Sequence, residues 1–420
     1  MKTLRLYQEY AEYDTAWQAV ARAGYRALNL DAWAGGRRYL SLATLQLTPA
    51  ELRQLRAVAL RFARLIDVAV QRILDDPDWW PELAWPWPAI ELARQEPALR
   101  TDLFGRFDCL LAPNDQWQVI EYNADTPSGG REATGFEPTI ARLHQHRAPS
   151  AALAPQLVSA ITARLAQHRA PVQRIGIVSA HSWLEDMSEA TWLAALLNNH
   201  GLPALVSDVT DLAATASGIT LRGQPIQALY RFYPVERLYR HAMFAQLMDA
   251  ACDRRILLLN GLRGFLAQSK ACLAWLWAHR DELAREDCAA IERHLPRTLL
   301  ARDPRALELL PNSVVKHVNG REGDSVVFGA NLDPTAWEAR LLEGGYVVQR
   351  AVDSPTVADV EVNDWQQRLS WVEARYACVG AFVVGGDFGG CYTRLDGPIT
   401  SARATYVATL AAPRGDARSP

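Results

Sequence analysis

The segment spanning residues 105–135, GRFDCLLAPNDQWQVIEYNADTPSGGREATG, constrains the fold of this chain more than any other stretch. Two short runs with strand-like alternation, 106–111 and 117–123, flank Ala112-Pro113-Asn114-Asp115-Gln116, which is the pattern of a β-hairpin. Side chains alternate faces along a strand, so Arg106 and Asp108 share one face, as do Glu121 and Asn123. A turn centred on Asn114-Asp115 sets Asp108 opposite Glu121 and Arg106 opposite Asn123. Two acids, an amide and a guanidinium then occupy one patch. No core requires such a patch, because burying unpaired charge is expensive. It suits a hard cation carried by a polyphosphate, since Mg²⁺ takes oxygen ligands and usually keeps waters and phosphates. A solvated hairpin face with local ion pairs would use the same residues, so both readings stand at this point.

The run Ala124-Asp125-Thr126-Pro127-Ser128-Gly129-Gly130-Arg131-Glu132 follows directly. Its small residues and hydroxyls would let backbone N–H groups approach an anion closely. It lacks the Gly-Lys-Ser/Thr ending of a Walker loop and does not match the dinucleotide fingerprint. Alone, a Ser-Gly-Gly loop is equally a plain turn.

Four downstream features carry chemistry. Lys316 lies in the alternating run 313–318, the loop Gly320-Arg321-Glu322-Gly323-Asp324-Ser325 follows, and the strand resumes at Val326-Val327-Phe328. A glycine-bearing hairpin tip can fold over phosphates while the lysine meets their charge; an ordinary hairpin with a solvated tip fits as well. Lys270 opens an apolar helix, where a lysine is ordinarily a polar-face residue. Gln349 ends an apolar strand and suits either an adenine edge or a satisfied core amide. Arg394, between Gly389-Gly390 and Gly397-Pro398, is a fork donor for phosphate or carboxylate, or else a surface turn residue.

At 420 residues the chain exceeds the usual limit for one hydrophobic core, so two or three lobes are expected. A formal charge of −3 argues against a nucleic-acid footprint or a basic membrane surface. The six cysteines show no CxxC or His-Cys spacing and read as isolated buried thiols of a reducing compartment. MKTLRLYQEY lacks the apolar core of a signal peptide, and no apolar run is long enough to span a bilayer, so the expected location is cytoplasmic. Residues 1 to about 100 read as mainly helical: Leu52, Leu55, Val58, Leu60, Phe62, Leu65, Ile66 and Val70 recur at helical intervals. Thr48-Pro49-Ala50-Glu51 reads as a helix start, and 75–88, rich in Trp and Pro, as an irregular connection. In 150–250, a strand at 174–179, a helix at 188–200 stopped by Gly201, and a strand at 204–207 make a βαβ rhythm and predict a parallel sheet. Residues 251–420 mix a Trp-rich helix near 273–279 with strands near 313, 326, 347, 382 and 391. The fold class is therefore α/β with mixed α+β character. His144 and His146 invite a metal reading, but they sit in an expected helix without an evident third ligand and read as surface histidines. No internal repeat is present, and no low-complexity tract beyond the Ala-Arg-Ser-Pro tail at 417–420.

The residues EYNADTPSGGREATG, with Arg106-Phe107-Asp108, resemble the synthetase domain of glutathionylspermidine synthase and its stand-alone homologues, which are ATP-grasp ligases. Gln268-Ser269-Lys270 with 273–277, Val315-Lys316 with 317–323, Tyr346-Val347-Val348-Gln349, and 392–400 around Arg394 resemble that family's later motifs. The blocks run in the family's order over about residues 100 to 405. Glu121 and Asn123 precede Lys270 and Lys316, which resembles the rearranged motif order of this group within the ATP-grasp ligases. The resemblance implies an ATP-grasp-type fold with a preATP-grasp-like α/β region. It divides the chain into 1–149, 150–250 and 251–420, with interwoven lobes. It also implies ATP and Mg²⁺ as cofactors and a small-molecule carboxylate and an amine as substrates. The carboxylate attacks the γ-phosphate to give an acyl phosphate and ADP, and the amine then displaces phosphate to form an amide. Carried over by position, Asp108, Glu121 and Asn123 hold Mg²⁺, and Arg106 is catalytic, stabilising the acyl phosphate and its transition state. Lys270 and Lys316 neutralise ATP phosphates, and Gly320 and Gly323 shape the loop above them. Gln349 meets adenine, Arg394 faces nucleotide or intermediate, and Thr126 and Ser128 line the carboxylate substrate. No amidase domain with a Cys-His nucleophile precedes the motifs, so hydrolysis of the product is not expected. The double glycine at 129–130 departs from the family pattern and leaves the acid and amine open. A phosphotransferase on the same nucleotide site, or a non-catalytic nucleotide-binding protein, remains an alternative.

Overall fold

The computed structural model describes residues 1–28, 32–34, 36–96, 100–169 and 171–412, so the 417–420 tail lies outside the described residues. The chain is mixed α/β. Its largest sheet has eight strands, ordered Lys2–Leu4, Leu40–Leu47, Thr405–Ala411, Asp387–Asp396, Arg368–Val384, Gly105–Leu111 and Trp117–Asn123, with Val357–Asn363 pairing alongside Arg368–Val384. Neighbours are antiparallel except Leu40–Leu47 and Thr405–Ala411, which run parallel. The sheet therefore joins the beginning, the 105–123 hairpin and the end of the chain.

The hairpin sets Arg106 opposite Asn123 and Asp108 opposite Glu121 as expected, but its turn is centred one half-step earlier than Asn114-Asp115: Leu111 pairs with Trp117, and a bulge between Asp108 and Cys109 absorbs the extra residue. Asp115 takes a left-handed φ of 57° at the turn, where Asp is among the few tolerant side chains. Alternation sends Phe107 and Tyr122 to the other face, where they stack with ring centroids 4.1 Å apart. Phe107 also meets Phe62 of the long helix Pro49–Asp75 edge-on. That helix begins at a capping box: Glu51 N–H donates to Thr48 Oγ1 (3.2 Å) and Thr48 N–H to Glu51 Oε2 (2.7 Å), with Pro49 at the first helical position. Its buried stripe includes Leu55, Val58, Phe62, Leu65, Ile66 and Val70, and truncating Phe62 to Ala would cost ~3–5 kcal/mol. This helix backs the hairpin and leaves the charged face free to line a cleft.

The remaining sheets supply the other walls. Ile175–Ser179, the helix Leu184–Asn199 and Ala204–Asp208 form the predicted βαβ unit in a four-stranded parallel sheet with Ala228–Arg231 and Leu257–Leu258. A second four-stranded sheet, antiparallel, is ordered Thr298–Leu300, Tyr346–Arg350, Ser313–His317, Val327–Phe328.

One expectation is refined and three are corrected. The described part of residues 1–100 is mainly helical, in Tyr10–Arg26, Pro49–Asp75 and Trp87–Gln95, but it also carries strands. Leu40–Leu47 is a strand inside the main sheet, buried at every position, so it shows no polar alternation. The 75–88 connection is a 3₁₀ helix, Pro77–Leu83, leading into the helix Trp87–Gln95. His144 caps the end of the helix Gly130–Leu143 and His146 lies beyond it; both are half-buried, with His146 Nδ1 2.6 Å from His144 O. Among the described residues, no group of three or more His, Cys, Asp or Glu is placed to hold a metal ion. Cys109, Cys272, Cys378 and Cys391 are buried, but Cys252 is exposed and Cys288 half-buried. Among the described residues, no helix is long and apolar enough to cross a membrane.

Candidate active site

A cleft of about 770 Å³ opens where these layers meet, and all twelve residues singled out from the sequence line it: Arg106, Asp108, Glu121, Asn123, Thr126, Ser128, Lys270, Lys316, Gly320, Gly323, Gln349 and Arg394. Its floor is the charged face of the hairpin and the strands beside it. Register places Glu121, Asp108, Gly380 and Tyr392 in one row across four strands. Gly380 is needed there, because a Cβ on it would lie 2.6 Å from Arg106 Cδ. The Arg106 side chain crosses that vacancy. Its Nε and Nη2 donate to Asp108 Oδ1 and Oδ2 (2.7 and 3.1 Å), and its Nη1 donates to the Ser128 carbonyl (2.7 Å). Arg394 Nη2 reaches the same Asp108 Oδ2 at 2.9 Å. Burial alone would raise the Asp108 carboxyl, but Arg106 and then Arg394 outweigh it and hold the group below the usual carboxylate range. Both guanidinium groups also lie over the Tyr392 ring, at 5.1 and 5.8 Å from its centroid.

Beside this cluster, Ser269 caps the helix Lys270–Ala278 and aims its first residue into the cleft. Lys270 Nζ donates to Glu121 Oε1 (2.9 Å) and to the Gly320 carbonyl (2.8 Å), tying the hairpin to the glycine loop. Lys316 rises from the central strand of the smaller antiparallel sheet. Its Nζ donates to Gln349 Oε1 (2.7 Å) and to the Ile120 carbonyl (3.2 Å). Burial pushes the Lys316 ammonium down to about 8, against the opposing pull of Glu121. Gln349 Nε2 donates to Thr298 Oγ1 (3.1 Å), so this amide is satisfied within the protein as well as lining the cleft. Arg394 sits in the strand Asp387–Asp396 and not in a surface turn.

Asp108, Glu121 and Asn123 bring two carboxylates and an amide oxygen onto adjoining strands that face the cleft. That set of oxygen donors fits a divalent cation of the Mg²⁺ type.

The glycine pair at 129–130 has a reason the sequence did not disclose. Gly129 adopts φ +97°, and a Cβ on it would lie 2.7 Å from the Tyr392 ring; one on Gly130 would lie 2.7 Å from Trp192. The Gly129 N–H is bound to Glu189 Oε1 (2.8 Å), so here it braces the loop instead of offering an open anion nest.

Several cleft residues escaped sequence reasoning. Arg321 in the glycine loop donates to Asp125 Oδ2 (2.7 Å), Thr126 Oγ1 (3.0 Å) and both Glu236 oxygens (2.8 and 3.1 Å). Fully buried Asp125 pairs with Arg231 as well. Gly323, at φ +73°, lies so close to the Thr400 carbonyl that a Cβ would stand 2.5 Å from it. The loop is thus folded down over the cleft. Opposite the cationic floor, Glu185, Asp186, Glu236 and Glu322 line an acidic wall. Half-buried Asp186 is pushed up to about 6, first by burial and then by Glu322. The pair Glu185-Asp186 in the first turn of the helix Leu184–Asn199 was the available signal.

The sequence model of the family described as glutathionylspermidine synthase preATP-grasp matches residues 9–411. Among solved structures, a glutathione synthetase-like effector from Globodera pallida is similar over 98% of this chain and 100% of its own, at 10% identity and a TM-score of 0.64. A putative gamma-glutamylcysteine synthetase from Methylobacillus flagellatus KT aligns over 83% of this chain and 86% of its own, at 12% identity and a TM-score of 0.45. None of the curated proteins matches this chain in sequence. The first of these structures supports the fold.

Proposed function

This chain belongs to the glutathionylspermidine synthase preATP-grasp family, and from that premise we propose that it is an ATP-dependent ligase joining a small-molecule carboxylate to an amine. One observation carries the reading: Asp108 is gripped by Arg106 and Arg394 beside the Lys270–Glu121 pair, on the floor of a deep cleft. Fixed cations interleaved with two carboxylates form a preorganised template for phosphoryl transfer, a reaction that needs positioning and charge neutralisation above all. Asp108, Glu121 and Asn123 would hold Mg²⁺, which when bound neutralises phosphate charge. Lys270 and Lys316 take the nucleotide phosphates, and the Gln349 strand meets adenine. Arg106 steadies the carboxylate as it attacks the γ-phosphate and then the acyl phosphate, while Arg394 holds the same group from the neighbouring strand. Thr126 and Ser128 lie where the carboxylate substrate would enter. The glycine loop, held down by Arg321, keeps water from the acyl phosphate.

The acidic wall supports the amine half of the reaction. Glu185, Asp186 and Glu322 attract a cationic amine, and a raised carboxyl such as that of Asp186 is suited to take the proton an ammonium must lose before attack. A cytosolic setting, where thiols stay reduced, fits the six free cysteines.

ADP release measured against pools of acids, with and without amines, tests the proposal. Amine-dependent turnover with an amide product is expected. A phosphorylated product formed regardless of amine would make the protein a phosphotransferase, and absence of turnover from every pool would make it a nucleotide-binding protein.

A further inference from the structure

A second cavity, of about 380 Å³, lies behind the loop that leads from the hairpin into the cleft. One side is apolar, built from buried Leu103, Phe104, Tyr230 and Met248. The other side is cationic: five arginines line it against the single carboxylate of Glu96. Both Glu96 oxygens are already taken, accepting from the backbone N–H groups of Leu262 and Arg263 at 2.8 and 3.0 Å. Arg100 is likewise committed, to Asp102.

The other four arginines, Arg164, Arg169, Arg254 and Arg263, have no carboxylate within ion-pair distance among the described residues. Among the described residues, the Arg164 side chain donates only to the Arg100 carbonyl (3.0 Å), and that of Arg263 only to Gln71 Oε1 (2.6 Å). Arg263 is 7% exposed, and its Nε is buried with no hydrogen-bond partner among the described residues. Buried guanidinium groups are ordinarily paired, since desolvating an uncompensated charge is costly. Burial lowers both Arg164 and Arg263 from the usual arginine range, outweighing the opposing pull of Glu96 and Asp67 at longer range.

We propose that this cavity is a second ligand site, for a small organic anion with an apolar body whose carboxylate or phosphate group binds Arg263 and Arg164. An anionic head satisfies the orphaned Nε and the fork geometry of the two guanidinium groups, while the body covers the apolar side. The site backs onto the catalytic cleft. Asn260, on its wall, donates to the carbonyls of Asp125 and Arg231 at 2.7 and 2.6 Å, and Gly264 packs so near Ala124 that a Cβ would lie 3.0 Å from its carbonyl. An occupant therefore bears on the backbone that delivers Asp125 and Thr126 to the first cleft.

Cys252 provides the test, because it is exposed and lines this cavity, whereas four other cysteines are buried. The full chain is pulsed with N-ethylmaleimide, and labelling of each cysteine is followed by mass spectrometry. 4-Phenylbutyrate and phenyl phosphate serve as anionic probes and 4-phenylbutyramide as the neutral control. At least one anion is expected to slow Cys252 labelling about fivefold or more and saturably, with Cys288 unaffected and the amide inert. Arg263→Gln or Arg164→Gln should abolish that protection while Cys109 and Cys391 stay unlabelled, which shows that the variant is folded. Failure of both anions at millimolar concentration would overturn the proposal. So would equal protection by the amide, or full protection in both folded variants.

Discussion

Lys316 donates to Gln349 Oε1 at 2.7 Å across two paired strands, an ammonium lodged against an amide in a buried setting. Its neutralisation near pH 8 in the free protein has a thermodynamic consequence. A nucleotide phosphate beside Nζ favours the charged form and raises the lysine again, so the complex binds more protons than the free protein wherever pH lies between the two values. On binding adenylyl imidodiphosphate with Mg²⁺, Lys316 should take up nearly no proton from solvent at pH 7 and ~1 proton near pH 9, with affinity falling as pH rises through 8. Calorimetry in buffers of different ionisation enthalpy measures this. Lys316→Met should remove the uptake; an equal uptake in that variant would assign the proton elsewhere.

Glu121→Gln and Asn123→Ala should each reduce turnover on the order of a hundredfold or more while leaving the fold largely intact. Glu121 is both a proposed metal ligand and the partner of Lys270, whereas the Asn123 amide has an unpartnered Nδ2. The two variants should therefore separate: excess Mg²⁺ partly rescues Asn123→Ala and leaves Glu121→Gln low. Near-normal kcat in both at saturating Mg²⁺ would remove the metal assignment.

The pairing of Asp108 with Glu121 was legible from the alternation of the two strands, but the route to it was not: the loop closes on Leu111 and Trp117, and a bulge between Asp108 and Cys109 shifts the register by one residue to bring the acids opposite each other. The βαβ unit was legible for a similar reason, since Gly201 punctuates it and takes φ +75°. Leu40–Leu47 was not, because a strand buried on both faces has no alternation to read, and its parallel partner Thr405–Ala411 comes from the far end of the chain. Within the site, residue types announced which positions carry charge, but not their partners. Nothing local to Arg321 signals Asp125 or Glu236, and nothing in Gly129-Gly130 names Tyr392 and Trp192 as the rings that demand them.

Arg321 anchors the 320–325 loop through Asp125, Thr126 and Glu236. Arg321→Ala removes three side-chain partners at once and should favour local opening of the loop. Limited proteolysis within 320–325 is expected to speed up about fivefold or more in that variant. Adenylyl imidodiphosphate with Mg²⁺ should slow the cut in both proteins by closing the loop over the phosphates. Cutting rates that respond neither to the substitution nor to nucleotide would mean that the loop is no lid.

Arg106 tests the intermediate. It is held on three sides, by Asp108, by the Ser128 carbonyl and by the Tyr392 ring, which fixes its guanidinium at the floor of the cleft. An acyl phosphate formed without amine should be trapped by hydroxylamine as a hydroxamate. Arg106→Ala should lose that product together with amide formation, yet still bind nucleotide through Lys270, Lys316 and Gln349. Arg106→Lys should recover little, since a point charge cannot occupy both Asp108 oxygens and the Ser128 carbonyl together. Asp108 keeps Arg394 in either variant, which limits the damage to the fold. If Arg106→Ala instead loses nucleotide affinity but reaches the normal rate at high ATP, Arg106 anchors the ground state, and stabilisation of the acyl phosphate must come from Arg394.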